Sequence, residues 1–326
     1  LLASGCASKL GSRSLPQVRM NYTESVATSG EQQMLLNLVR LRHSRLPVFL
    51  QVSSVVTQFS LSTNVGVNAT GNAVSPGGFV PPVGGGASAG VLVEERPTIT
   101  YTPLQGEDFV QRFATPLSSE AIAQLVQAGW PWDAVLECCV QQVNGLFAPE
   151  SPWRNERTDF QRLGQALRRL QAVNAVTVRT GAGGGQELVF AIPGTEEGKR
   201  DAALVRRLLG LDTTTNRCPI VGETAAQSLA LQGRSMLATL YYLSQGVDGP
   251  PQGWPDPGDD SLLRVRASKR APKDAYAAVP YGNQTFYIDA GDTESQGIFV
   301  LLGYLFSLMA TPGGAGPVVT VGAGSG

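Results

Sequence analysis

Histidine is all but missing from this chain: His43 is the only one among 326 residues. A multi-histidine metal site is thereby excluded, and any Ser-His-Asp triad would have to use this one imidazole. His43 sits in the Arg-rich last turn of a helical pattern, where the helix dipole favours cations and a structural role is the simpler reading. Charge is scarce too. Asp, Glu, Lys and Arg make up 16% of the residues, below the roughly 25% of ordinary soluble domains. With 25 basic and 26 acidic residues the formal net charge is -1, so there is no basic field to attract nucleic acid, and none is expected as a partner. No apolar run reaches the roughly 18 residues of a transmembrane helix. The best candidate, "GIFVLLGYLFSLMA" from Gly297 to Ala310, reads as a buried core helix. No C-x-x-C pair exists for zinc or redox work. Cys138 and Cys139 are adjacent within a helical pattern, and with Cys218 they read as buried thiols acting as small hydrophobes, or as one bond from either of them to Cys218.

Phosphate and calcium motifs are missing as well. Gly181, Gly183, Gly184 and Gly185 lack the Lys-Ser/Thr tail of a phosphate loop and the register of a dinucleotide fingerprint. Flanked by strand patterns, they read as a hairpin turn. Asp256, Asp259 and Asp260, and likewise Asp289, Asp292 and Glu294, do not follow the calcium-loop spacing. Asp292 or Thr293 is better explained as the cap of the helix that follows. No catalytic, cofactor or metal site is expected, and an enzyme is the least favoured class.

The charge deficit is concentrated. From Leu46 to Val93 there is no Asp, Glu, Lys, Arg or His, whereas Arg40, Arg42, His43 and Arg45 precede the stretch and Glu94, Glu95 and Arg96 follow it. Inside it, "FSLSTNVGVNATG" from Phe59 to Gly71 alternates residue by residue. Phe59, Leu61, Val65 and Val67 fall on one face, and Ser60, Ser62, Asn64 and Asn68 on the other. This is the dyad pattern of a strand with lipid on one side and a watery lumen on the other, for which about 9 to 11 tilted residues suffice. A Gly/Pro-rich segment, "NAVSPGGFVPPVGGGASAG", reads as the hairpin tip, and the chain returns with Val91 and Val93 on the membrane-facing side. Pro97 must sit at an edge, a bulge or a bend. Two strands alone cannot cross a bilayer, because their edges would leave backbone groups unpaired in hydrocarbon. A membrane role therefore requires several copies donating hairpins to one barrel. The same pattern also fits an amphipathic hairpin packed on the body or on a neighbouring subunit.

The remainder reads as ordinary α+β patterning. Ser29 and Gln32 form a capping-box signal for a helix ending before Pro47, with Met34, Leu35, Leu38 and Leu41 on one face. Beyond Leu104, helices are expected at Glu107 to Phe113, Ser119 to Ala128, Trp132 to Val143, over "TDFQRLGQALRRLQAV", at Glu196 to Leu209, over "AAQSLALQGRSMLATLYYLSQ", and at Thr293 to Met309. Strands are expected in "NAVTVRT", "ELVFAIP", Leu262 to Arg266, Tyr276 to Val279, Thr285 to Asp289 and "PVVTV". The expected division is residues 1–20 as signal remnant, lipidation site and tether, 21–103 as helix plus uncharged hairpin, 104–321 as an α+β body, and 322–326 as a tail.

The opening "LLASGCASKLGSRS" resembles a lipoprotein signal junction, with small residues and Gly5 before Cys6 and a polar tether after it. The resemblance implies cleavage before Cys6 and acylation of that residue. Four further segments, "GEQQMLLNLVRLRHSRLPVFLQVSSV", "ERPTITYTPLQGEDF", "AGWPWDAVLECCVQQVNGL" and "TFYIDAGDTESQGIFVLLGYLFSL", together resemble an uncharacterised family of Gram-negative outer-membrane-associated envelope lipoproteins. This implies an envelope location and supplies no catalytic residues. Oligomeric curli-type lipoprotein channels offer an architectural analogy without a shared motif. The expected partners are other copies of the chain, outer-membrane lipid and other envelope proteins. The expected function is a lipid-anchored ring or channel with its body in the periplasm, or alternatively a lipid-anchored scaffold or binding subunit without a pore.

Overall fold

A computed structural model of the chain describes residues 15–68, 86–149, 158–249, 261–310 and 318–323. In chain order the elements begin with α1 (Leu15–Arg42), β1 (Phe49–Asn68), β2 (Gly86–Leu104), α2 (Glu107–Ala114), α3 (Ser119–Gln127), α4 (Trp132–Cys139), β3 (Val140–Val143) and β4 (Leu146–Phe147). They continue with α5 (Asp159–Ala172), β5 (Val176–Thr180), β6 (Gln186–Phe190), α6 (Glu196–Leu209), β7 (Arg217–Val221), β8 (Leu229–Gly233) and α7 (Met236–Ser244). The last are β9 (Arg266–Ser268), β10 (Ala277–Tyr281), β11 (Gln284–Ile288), α8 (Thr293–Ala310) and β12 (Val318–Ala323). The fold is α+β, as the mixed pattern of hairpins and helices requires.

Two compact units are present. The first joins residues 1–49 to 104–312, and the second joins 50–103 to 313–326. This differs from the division expected at residue 103/104, because α1 belongs with the body. Leu35, Leu38 and Val39 of α1 are fully buried, and α1 packs on α7, β10 and β11. The terminal strand also changes place: β12 joins the second unit and not the body.

The body holds a six-stranded sheet in the order β4-β3-β8-β7-β6-β5 and a three-stranded sheet in the order β10-β11-β9. In the larger sheet β7 and β8 run parallel and the other neighbours antiparallel. Local chemistry sets the element ends. Ser118, Thr195 and Ser235 accept from the third backbone N–H of α3, α6 and α7, and Thr158 and Gln161 form a reciprocal capping box on α5. Asp292 Oδ1 accepts from Ser295 N at 3.0 Å and caps α8, as expected. The Gly181–Gly185 run is the turn between β5 and β6, with Gly184 at φ 81°.

Three expectations are corrected. Ser29 does not start a helix, because α1 already begins at Leu15. Ser25 Oγ, one turn earlier, donates to the Asn21 carbonyl and so satisfies itself inside the helix. The helix expected at Trp132 to Val143 ends at Cys139, and Val140–Val143 turn into a strand. There the dipeptide Asn144-Gly145, both at positive φ (44° and 84°), forms the two-residue turn into β4. The long helix expected from Ala225 to Gln245 is strand β8 followed by α7. Buried Leu229 and Leu231 and tightly packed Gly233 follow a period of two, and Ser235 opens the helix.

Candidate functional site

The second unit is a three-stranded sheet in the order β12-β1-β2. Its two long strands have 20 and 19 residues. At about 3.3 Å per residue each reaches roughly 60 Å. Six successive residues of β1, Ser54 to Phe59, pair in parallel with Val318 to Ala323 of β12. β2 is an edge strand, one of the three places open to Pro97, and residues 60–68 of β1 extend past the last β12 partner. From Thr98 to Pro103 every residue of β2 is exposed, so Ile99 and Tyr101 on one face and Thr98, Thr100 and Thr102 on the other all face solvent.

Of the residues singled out for the membrane-facing side, Phe59, Leu61, Val65 and Val67 lie in β1 and Val91 and Val93 in β2. Ser60, Ser62, Asn64 and Asn68, assigned to the lumen, lie in β1. The sheet brings the two groups of strand residues into neighbouring strands. Cys6 and residues 72–85 of the Gly/Pro-rich tip lie outside the described residues, whereas Gly86 to Gly90, expected in that tip, belong to strand β2. β12 was missed as a member of this sheet, although a signal existed. From Ser295 to Gly326 the chain again carries no Asp, Glu, Lys, Arg or His, the same signature as Leu46 to Val93.

Inside the body, the start of β1 is held by a dense set of contacts. Asn37, buried in α1, donates from Nδ2 to the Val48 carbonyl and accepts from Val48 N on Oδ1, both at 2.8 Å. Arg40 Nε donates to the Leu46 carbonyl at 2.8 Å. Phe49 is buried in an aromatic cluster, with its ring centroid 4.7 Å from Phe306, 5.6 Å from Phe113 and 6.1 Å from Phe109. Two side-chain bonds to one residue's backbone, followed by a ring locked among rings, fix the position from which the strand starts.

The side chains considered for chemistry are occupied structurally. His43 packs against Tyr281 and Phe286, with ring centroids at 5.1 and 5.7 Å, and its Nδ1 lies 2.9 Å from the Val39 carbonyl oxygen. Cys138, Cys139 and Cys218 are free and fully buried, which decides between the two readings of the cysteines. Burial pushes the Cys218 thiol up to about 12. A thiol hydrogen bond with Cys138, reinforced by burial, holds Cys139 well above the usual thiol range. Arg234 lies 3.8 Å over the Tyr242 ring and donates to the Val140 carbonyl, and burial lowers its pKa. Asp289 Oδ1 accepts from Gly291 N within its own turn, and Asp256, Asp259 and Asp260 lie outside the described residues. Among the described residues no group of three His, Cys, Asp or Glu side chains is arranged to hold a metal ion, and no helix is long and apolar enough to cross a membrane.

No family model matches the chain, and neither a curated protein nor a solved structure matches it. The functional reading therefore stands on the strands and the body themselves.

Proposed function

We propose that the chain is a non-enzymatic outer-membrane lipoprotein that assembles into a homo-oligomeric ring or channel. Its long strands join those of neighbouring copies in a shared β-barrel or inter-subunit sheet. The observation that carries this reading is the thin three-stranded sheet whose two long strands are free of charge over residues 49–68 and 86–93, and whose strand β2 is exposed on both faces from Thr98 to Pro103. A sheet of this size needs an apolar face covered by packing to be stable by itself in water. Neighbouring copies provide the missing strands, and lipid provides a partner for the alternating apolar face of Phe59, Leu61, Val65, Val67, Val91 and Val93. In this arrangement Ser60, Ser62, Asn64 and Asn68 line the water-filled side, and acylated Cys6 tethers each copy to the membrane that holds the barrel. The partners are thus other copies of the chain and outer-membrane lipid.

One further observation favours a second reading, a lipid-anchored periplasmic scaffold or binding subunit. α8 presents Val300, Tyr304 and Leu308, each about half exposed, in a line at helical spacing. Negative-stain imaging of the detergent-extracted, full-length protein separates the two. Rings with a detergent-embedded rim are the expected outcome. Rings without such a rim favour the scaffold, and monomers overturn the ring.

A further inference from the structure

The edges of the β12-β1-β2 sheet are not uniform along their length. On the outer side of β1, β12 occupies Ser54 to Phe59 and stops, so Ser60 to Asn68 has no strand beside it among the described residues. In β2, the half that adjoins the body in sequence carries Glu94, Glu95, Arg96, Pro97 and Pro103, while Gly86 to Val93 carries neither charge nor proline. Charge, proline and a covering strand are the devices by which proteins prevent a sheet edge from pairing with another chain. Both strands are therefore protected in the half that adjoins the body in sequence, here the basal half, and undefended in the half that adjoins residues 69–85 in sequence, here the distal half.

The undefended segments also match in length and chemistry. Nine residues of β1 face eight of β2, both free of ionisable groups, and each is close to the 9 to 11 residues that cross a bilayer as a tilted strand. We infer that the distal edge of β2 in one copy, residues 86–93, pairs with the distal edge of β1 in the next, residues 60–68, while the basal halves do not pair between copies. This rests on the ring reading above and specifies its interface. The contact is heterologous, since one edge meets a different edge, and such contacts close into rings when the rotation between copies allows. In it, β12 has a defined job: it marks the height at which the subunits stop sharing a sheet.

The test is cross-linking of full-length subunits that each carry one introduced cysteine, co-expressed in pairs so that no single chain can cross-link its own introduced thiols. Cys138, Cys139 and Cys218 are buried, and the chain without an introduced cysteine gives the background from Cys6. A distal pair, Asn64→Cys with Ser88→Cys, is compared with a basal pair, Thr57→Cys with Thr100→Cys, using a short bis-maleimide that tolerates a register offset. Ser62→Cys with Gly90→Cys serves as a second distal pair should the first fail to assemble. The expected result is dimer-sized product from the distal pairs and only background from the basal pair. Equal cross-linking of both halves overturns the inference, as does product dominated by like positions, such as Asn64→Cys with itself. Rings seen by electron microscopy without distal cross-links overturn the edge assignment while leaving the ring intact. Monomers without any cross-link overturn both.

Discussion

Asn144 illustrates how much one side chain can hold. Its Nδ2 donates to the carbonyls of Leu209 and Ser228 at 2.9 and 2.8 Å, its Oδ1 accepts from Ala230 N at 2.7 Å, and its own φ is 44°. It thus joins the end of α6 to the start of β8 from within a turn that only Gly, Asn or Asp adopts easily. Asn144→Ala removes three bonds, leaves buried backbone groups without them, and places alanine at a disfavoured φ. A loss of about 2 to 4 kcal/mol is expected, measured by denaturant unfolding. Asn144→Asp, which keeps the turn preference but not the donors, should fall between the two. The thiols make a second prediction at this scale. The Cys218 pKa, pushed up to about 12 by burial, lies above its unfolded value of about 8.5. The protonated thiol is the form that folding favours, so its contribution is complete below about pH 8.5 and declines as pH rises toward 12. At pH 8 the folded protein should leave Cys138, Cys139 and Cys218 unlabelled by a thiol reagent, and unfolding should expose all three. Rapid labelling of the folded protein would show that these side chains are not buried.

At the scale of elements, α1 is the one whose role departs most from expectation. Its apolar positions are legible: Met34, Leu35 and Leu38 share a face, and all three are buried. The pattern could not say what that face covers, because the surfaces it meets, α7, β10 and β11, lie some 200 residues later in the chain. A fragment beginning at Leu104 would lose this cover along with the Asn37 clamp on Val48. It should therefore be aggregation-prone and lack a cooperative thermal transition, whereas the same fragment supplied with residues 15–49 should fold. Cooperative folding of the shorter fragment would contradict the packing of α1. The other differences have similar causes. Helical spacing from Trp132 hid the Asn144-Gly145 turn signal twelve residues on, although that dipeptide is a strong local marker of a hairpin. β7 carries no strand signal in the sequence because it is short and holds Pro219 at its centre, and only its neighbours β6 and β8 complete it. By contrast, α6, α8 and the β5-β6 turn were read closely, since each carries its own cap or glycine signal. In the candidate site, β1 and β2 were legible from alternation and missing charge, while β12, legible as a strand in "PVVTV", could not be assigned to this sheet, because parallel pairing leaves no local turn to announce it.

For the whole molecule, the body fixes the place from which β1 starts, through Asn37 and Phe49, and the second unit is drawn from two stretches of chain separated by that body. The parallel pairing of Ser54 with Val318 joins positions roughly 260 residues apart. Closing so long a loop is slow relative to local pairing, since its entropy is lost before the contact stabilises anything. β1 and β2 can meet early, but the guard strand comes from beyond every element of the body. There is thus an order of events in time: between synthesis of β1 and arrival of β12, the edge at Ser54 to Phe59 is open to any passing strand. Such an interval is the period in which chains with exposed edges aggregate. A protein with this topology depends on being kept from its own copies until the body is complete, so holding the chain unassembled until its last strand arrives becomes as much a condition of its folding as the sequence itself.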